Sequence, residues 1–187
     1  TCLVLPASGD PTLVVPALEA PAAKASGVDV AIATWGELDD PFALVSDLVG
    51  DAATVGLDDH MWASRVFALR EALPNARQVL AGRLVQELRI RKEADEIIAL
   101  RDAGQAIDRV HARMGEWLRP GRSEREVGAD IARAIIDEGH ETVDFVIVGS
   151  GPNGASPHHE LSDRVIEEGD PVVVDIGGTN HAGYCSD

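Results

Sequence analysis

Ser150-Gly151-Pro152-Asn153-Gly154-Ala155-Ser156-Pro157-His158, then Pro171-Val172-Val173-Val174-Asp175-Ile176-Gly177, then Gly183-Tyr184-Cys185-Ser186-Asp187 are the stretches on which the fold turns. Asp175 ends an apolar run, so its carboxylate is expected to be buried on a strand between apolar side chains. A carboxylate buried that way needs a cation, a cage of hydrogen bonds or a proton. Gly177 and Gly178 are expected to permit a turn directly after it. The chain then returns through Gly183-Tyr184 and brings Asp187 back beside Asp175. Two carboxylates side by side repel unless a multivalent ion sits between them. Oxygen ligands of this kind favour Mn²⁺, Mg²⁺ or Ca²⁺, and carboxylates also bind Zn²⁺ and Co²⁺. The plainer alternative is that Asp175 only accepts backbone N–H groups in a turn. His158 lies in a loop rich in Gly, Pro and Asn. It is either an ordinary surface residue or a hydrogen-bond donor and proton shuttle beside a metal centre. His159, Glu160 and His181 read as surface residues.

The same region contains a competing pattern. The apolar run Phe145–Val148 is followed by Gly149-Ser150-Gly151-Pro152-Asn153-Gly154, with Asp175 placed 21 residues after Gly154. This is the surface form of a dinucleotide-binding fingerprint. That fingerprint needs a helix to start inside the glycine loop. Pro152 and Pro157 interrupt the region, and Pro157 would fall inside the helix. A dinucleotide-binding protein is therefore a remote alternative.

Outward from this region, Ser123-Glu124-Arg125-Glu126 fits a capping box in which Ser123 caps and Glu126 reaches back. The helix it opens runs through Val127, Ile131, Ala134 and Ile135 to Gly139. Leu84 to Trp117 is helical in composition, with a charged joint at Arg89–Glu93. Ile97, Leu100, Ala103, Ile107, Val110 and Met114 form an apolar stripe, and the helix is expected to end at Pro120-Gly121. Val165-Ile166 and Val172–Asp175, around the turn Glu168-Gly169-Asp170, are expected to form a hairpin or close return. Towards the N-terminus, Leu3–Leu5, Leu13–Val15, Thr54–Leu57 and Arg77–Leu80 read as strand segments, and Val28–Ala33 is a further apolar run. Phe42–Leu48 and Met61–Leu73 read as helices, the second presenting Trp62, Val66, Leu69 and Leu73. Strands alternating with helices indicate an α/β layer. The expected organisation is an α/β N-terminal domain over residues 1–83, a linker over 84–92 and a second domain over 93–187.

The chain has 187 residues, 45 % of them hydrophobic and only 4 % aromatic, so its cores are built from Ala, Val, Leu and Ile. With 32 acidic against 16 basic residues the net charge is −16, a surface that repels phosphate backbones and argues against nucleic-acid binding. The two cysteines, Cys2 and Cys185, form no disulfide framework, which suits a reducing cytoplasm. No run reaches the roughly 20 apolar residues a membrane span needs. The start Thr1–Pro6 lacks the basic region of a signal peptide and an initiator Met, so the natural N-terminus is expected to lie upstream.

Together these motifs resemble the family of methionine aminopeptidase, aminopeptidase P, prolidase and creatinase, and within it the bacterial Xaa-Pro dipeptidases and aminopeptidases. The resemblance is carried by the three C-terminal motifs in order and by Arg91–Ile97 leading into a long helix. His158 stands 17 residues before Asp175, the family's interval, and Asp187 stands 12 after it, one residue longer than in many members. The resemblance implies a creatinase/prolidase-type N-terminal domain followed by the first half of an α+β pita-bread catalytic domain. It implies His158 as an active-site histidine and Asp175 and Asp187 as the first two metal ligands of a dinuclear centre. Mn²⁺ is the expected metal, with Co²⁺ or Zn²⁺ as alternatives. The implied reaction is hydrolysis of Xaa-Pro peptide bonds by a cytoplasmic homodimer. A creatinase-like C–N hydrolase and a non-catalytic binding protein on the same fold are the alternatives. The family's remaining ligands, a histidine and two glutamates, lie in a part of the domain that does not follow Asp187 here. These 187 residues alone are therefore expected to be inactive and prone to aggregate.

Overall fold

The apolar runs near the N-terminus become a small mixed sheet. In the computed structural model, which describes Thr1–Asp187, β1 (Cys2–Val4) pairs antiparallel with β2 (Thr12–Pro16). β2 pairs in parallel with β3 (Ala31–Trp35), after a crossover through α1 (Ala20–Ala25). That short helix was not anticipated; its alanines favour it and Pro21 fits its first turn. Pro41 likewise opens α2 (Pro41–Val49), where the Asp40 side chain accepts the Phe42 N–H at 2.9 Å. β4 (Thr54–Leu57) and β5 (Arg77–Leu80) form a parallel pair joined through α3 (Ala63–Ala72). Val14, Val45, Leu57, Leu69 and Leu73 make the core of this unit. Trp62, expected on the buried stripe of α3, caps the helix from outside and is exposed. α4 (Gly82–Arg89) occupies most of the stretch read as a linker, and this first unit ends at Ile90.

The second unit, Arg91–Asp187, is built on two helices and a hairpin. α5 (Ala94–Ala112) opens with a capping box between Glu93 and Glu96. Its stripe buries Ala103, Ile107 and Val110 but leaves Ile97 and Leu100 partly exposed. The helix does not reach Pro120: it breaks at Arg113, whose guanidinium contacts Glu138 and covers the Trp117 ring, and a single turn follows as α6 (Met114–Trp117). α7 (Glu124–Asp137) carries the expected capping box. The Ser123 hydroxyl accepts the Glu126 N–H at 3.2 Å, and Glu126 accepts the Ser123 N–H at 2.8 Å.

Val127, Ile131 and Ile135 of α7 are fully buried against the sheet of β6 (His140–Ser150) and β7 (Val172–Asn180). Each such aliphatic side chain contributes about 1.5–3 kcal/mol by burial. The strands are antiparallel, from Phe145 opposite Gly177 to Ser150 opposite Val172. The expected hairpin of 165–166 with 172–175 does not form. Ile166 instead exchanges backbone hydrogen bonds with Gly121 and Arg122, and Val165 bridges Ser123. β6 offers β7 a far longer partner than two residues could. No helix is long and apolar enough to cross a membrane.

Candidate metal centre and histidine loop

Strand alternation decides where Asp175 points. Val172, Val174 and Ile176 pack into the core beneath α7, so Val173, Asp175 and Gly177 lie on the opposite face. Asp175 is therefore exposed rather than buried, the reverse of what its apolar neighbours suggest. Gly177 and Gly178 also do not form a turn; both continue β7. Their lack of a side chain serves close packing. A Cβ at 177 would lie 2.6 Å from the Ser186 carbonyl oxygen, and one at 178 would lie 2.7 Å from that of Thr142.

The turn comes later. Gly183, at φ +80°, donates to the Asn180 carbonyl at 2.9 Å, and Asn180 Oδ1 accepts the Ala182 and Tyr184 N–H groups. The returning segment then runs antiparallel to β7: Tyr184 O accepts Asn180 N, and Ser186 N donates to Gly178 O at 2.8 Å. Continuing that register sets Asp187 opposite Gly177. The carboxylates of 175 and 187 thus share one face at diagonal positions. Both are exposed, and neither is engaged by another protein group.

A buried pair behind that face fixes the returning segment. His140 Nε2 lies 2.7 Å from Ser186 Oγ and Nδ1 lies 3.2 Å from the Ile135 carbonyl. The carbonyl only accepts, so Nδ1 carries the proton and, in the neutral ring, the Ser186 hydroxyl donates to Nε2. Nothing in the spacing of the sequence singles out His140.

His158 follows a 3₁₀ turn, Gly151–Ala155, that folds back over Gly149 and Val173. Those residues lie on the face that carries Asp175, so the loop starts over that face. His158 itself is exposed, as are Glu160 and His181. No three His, Cys, Asp or Glu side chains converge on one point, so His158 does not join the two aspartates as a ligand group. The glycine loop starts no α-helix, and its flanking strands are antiparallel, which removes the dinucleotide fingerprint.

His159 is not a free surface residue. Its Nε2 lies 2.7 Å from Oε2 of Glu124, a carboxylate with no solvent exposure at the first position of α7. Glu124 Oε1 accepts the Ser150 N–H and hydroxyl, each at 2.7 Å, and the Asn153 amide at 3.0 Å. Oε2 accepts the Ser162 hydroxyl at 2.5 Å. Burial pushes the carboxyl pKa up. The hydrogen bonds from Ser162, Ser150 and His159 together outweigh it and hold the group well below the usual carboxylate range. Arg164 adds a second clamp, donating to Ser150 Oγ and to Asp170 Oδ2, each at 2.6 Å. Sequence reasoning missed Glu124 because Glu126 filled the capping role. The available signal was its place seven residues before Ile131, on the apolar stripe of the helix.

Against known proteins, residues 98–187 match metallopeptidase family M24, and residues 1–91 match the creatinase/prolidase N-terminal domain. The chain carries a creatinase/prolidase N-terminal domain followed by part of an M24 metallopeptidase domain. It is 52 % identical to a probable dipeptidase PepE of Mycobacterium tuberculosis, over all of this chain and 51 % of the relative. The crystal structure of dipeptidase PepE from Mycobacterium ulcerans superposes with a TM-score of 0.92 at 52 % identity, over 99 % of this chain and 51 % of that one. A prolidase from Thermococcus sibiricus gives 0.84 at 31 % identity, with the same coverage. The chain thus spans about half the length of the relatives it matches. Its M24 portion is the front half of the pita-bread fold, and α5, α7, β6 and β7 are the elements of that half which position the aspartates and the histidine loop.

Proposed function

We propose that the whole protein is a metal-dependent peptidase that hydrolyses Xaa-Pro peptide bonds at a dinuclear centre. The observation that supports this most is the pair Asp175 and Asp187: two exposed carboxylates on one sheet face, unengaged by any protein group. Such a pair suits a divalent cation, since two adjacent anions with free oxygens are otherwise mutually repulsive. They would be two of the ligands, and bound divalent metals would supply polarisation of the peptide carbonyl and a more acidic water. Mn²⁺ is the proposed metal.

His158 would donate a hydrogen bond to the carbonyl oxygen as negative charge develops there. Its exposure within a braced loop leaves its ring free to meet a substrate. The aliphatic and aromatic side chains of Ile147 and Phe145 would border the site with apolar surface on the strand opposite Asp175. Proline preference is supported by the likeness to the prolidase of Thermococcus sibiricus. A bond to proline lacks an N–H, so its recognition rests on ring shape rather than on donation.

The test uses the protein at the full length of its relatives. It is stripped with chelator, resupplied with Mn²⁺, and assayed for proline release from an Xaa-Pro dipeptide, beside an Asp175→Asn variant. Metal-dependent release that disappears in the variant supports the proposal. No release with any divalent ion defeats it.

A further inference from the structure

We infer that Glu124 is the positioning residue for His158, an inference that rests on the catalytic role proposed for that histidine. Glu124 takes no place among the proposed metal ligands. Yet it is a fully buried carboxylate, and its side chain accepts hydrogen bonds from Ser150, Asn153, His159 and Ser162. All four belong to one segment, residues 150–162, and that segment carries His158. The anchors flank the histidine on both sides: Asn153 five residues before it, His159 immediately after.

The chemistry of the anchor is specific. An ionised carboxylate only accepts, so His159 must present Nε2–H to Oε2, which settles its tautomer and its ring orientation. His159 then cannot swing outward, and the backbone it shares with His158 is fixed. On the other side Pro157 restricts the chain before His158. Ser150 Oγ is doubly held, donating to Glu124 and accepting from Arg164, whose guanidinium is itself paired with Asp170. The freedom left to His158 is rotation of its own side chain. Charged acceptors form the shorter and stronger hydrogen bonds, so one carboxylate with donors on both its oxygens holds a loop more tightly than neutral contacts would.

Glu124→Gln keeps the shape of the side chain but turns one accepting oxygen into an NH₂ that faces donors. The experiment measures kcat and KM for an Xaa-Pro dipeptide in the full-length protein for wild type, Glu124→Gln, His158→Ala and the double variant, with metal content measured in each. The expected result is a fall in kcat on the order of 10- to 100-fold for Glu124→Gln, with metal content kept. The double variant should then be no slower than His158→Ala alone, because Glu124 acts through His158. If the two losses multiply, or if Glu124→Gln leaves kcat unchanged while His158→Ala lowers it, the positioning role is wrong. If His158→Ala itself leaves kcat unchanged, the catalytic role of His158 fails and the inference falls with it. Should Glu124→Gln not fold, His159→Gln removes one anchor and the same test of multiplied against shared loss applies.

Discussion

Ile147 and Asp175 stand directly opposite each other across β6 and β7, so the carboxylate at 175 faces an aliphatic neighbour and no protein donor. The side chain therefore contributes little to the fold, and its exposure is the condition for binding anything else.

Asp175→Asn separates those two roles. Stability of the variant should stay within about 0.5 kcal/mol of wild type, as for other exposed positions without partners. Metal affinity of the full-length protein should fall by more than the 10- to 100-fold typical of changes beyond the ligands themselves. Chemical denaturation and metal titration of the same sample check both.

Two glycines should respond oppositely to alanine. At Gly178 the new methyl would meet the Thr142 carbonyl, Ile135 and His140, all closer than 3.0 Å. Gly178→Ala should cost about 1–3 kcal/mol by overpacking. At Gly104, inside α5, a Cβ meets nothing within 4 Å. Gly104→Ala should stabilise by roughly 0.5–1 kcal/mol through helix propensity. Urea midpoints at constant m-value report both.

Glu124 gives the fold an acid-sensitive contribution. Its folded pKa lies below the ordinary 4.5, so the stabilisation is fully present above that value and is lost as pH falls through the lowered one. At pH 7, Glu124→Gln should be destabilised on the order of 3–5 kcal/mol, since it breaks a buried charged network. Between pH 5 and 2 the wild type should lose stability more steeply than the variant. Parallel pH profiles of the thermal midpoint would contradict this.

The 187-residue chain by itself should release no proline from an Xaa-Pro dipeptide with any divalent ion, because it gathers no three ligand side chains at one point. Turnover by purified chain, free of full-length protein, would overturn that expectation.

Much of this architecture was legible in the sequence because its signals are local. The Ser123–Glu126 capping box, the stripe Val127–Ile131–Ile135 and the strands Thr54–Leu57 and Arg77–Leu80 lie where spacing and composition place them. The errors came from non-local pairing. Val172–Val174 read as a return from Val165-Ile166, but its partner is β6, more than twenty residues upstream. That pairing also fixes the face of Asp175, so its exposure could not be read from apolar neighbours in the chain. Gly177 and Gly178 looked like turn residues for the same reason: the groups that crowd them, Ser186 and Thr142, are distant in sequence or on another strand. Glu124 and His140 were missed because each earns its place through a buried contact with a residue 26 to 46 positions away.

Every donor to the Glu124 side chain follows it in the chain, the nearest at Ser150 and the farthest at Ser162. A growing polypeptide therefore makes the carboxylate well before its partners. Until they arrive the group must stay hydrated, which keeps the start of α7 wet. Closing the histidine loop and drying this end of the helix are thus one event in folding. The Ser150 amide should be among the last in the domain to gain protection from hydrogen exchange, and its release should accompany the first opening of the loop.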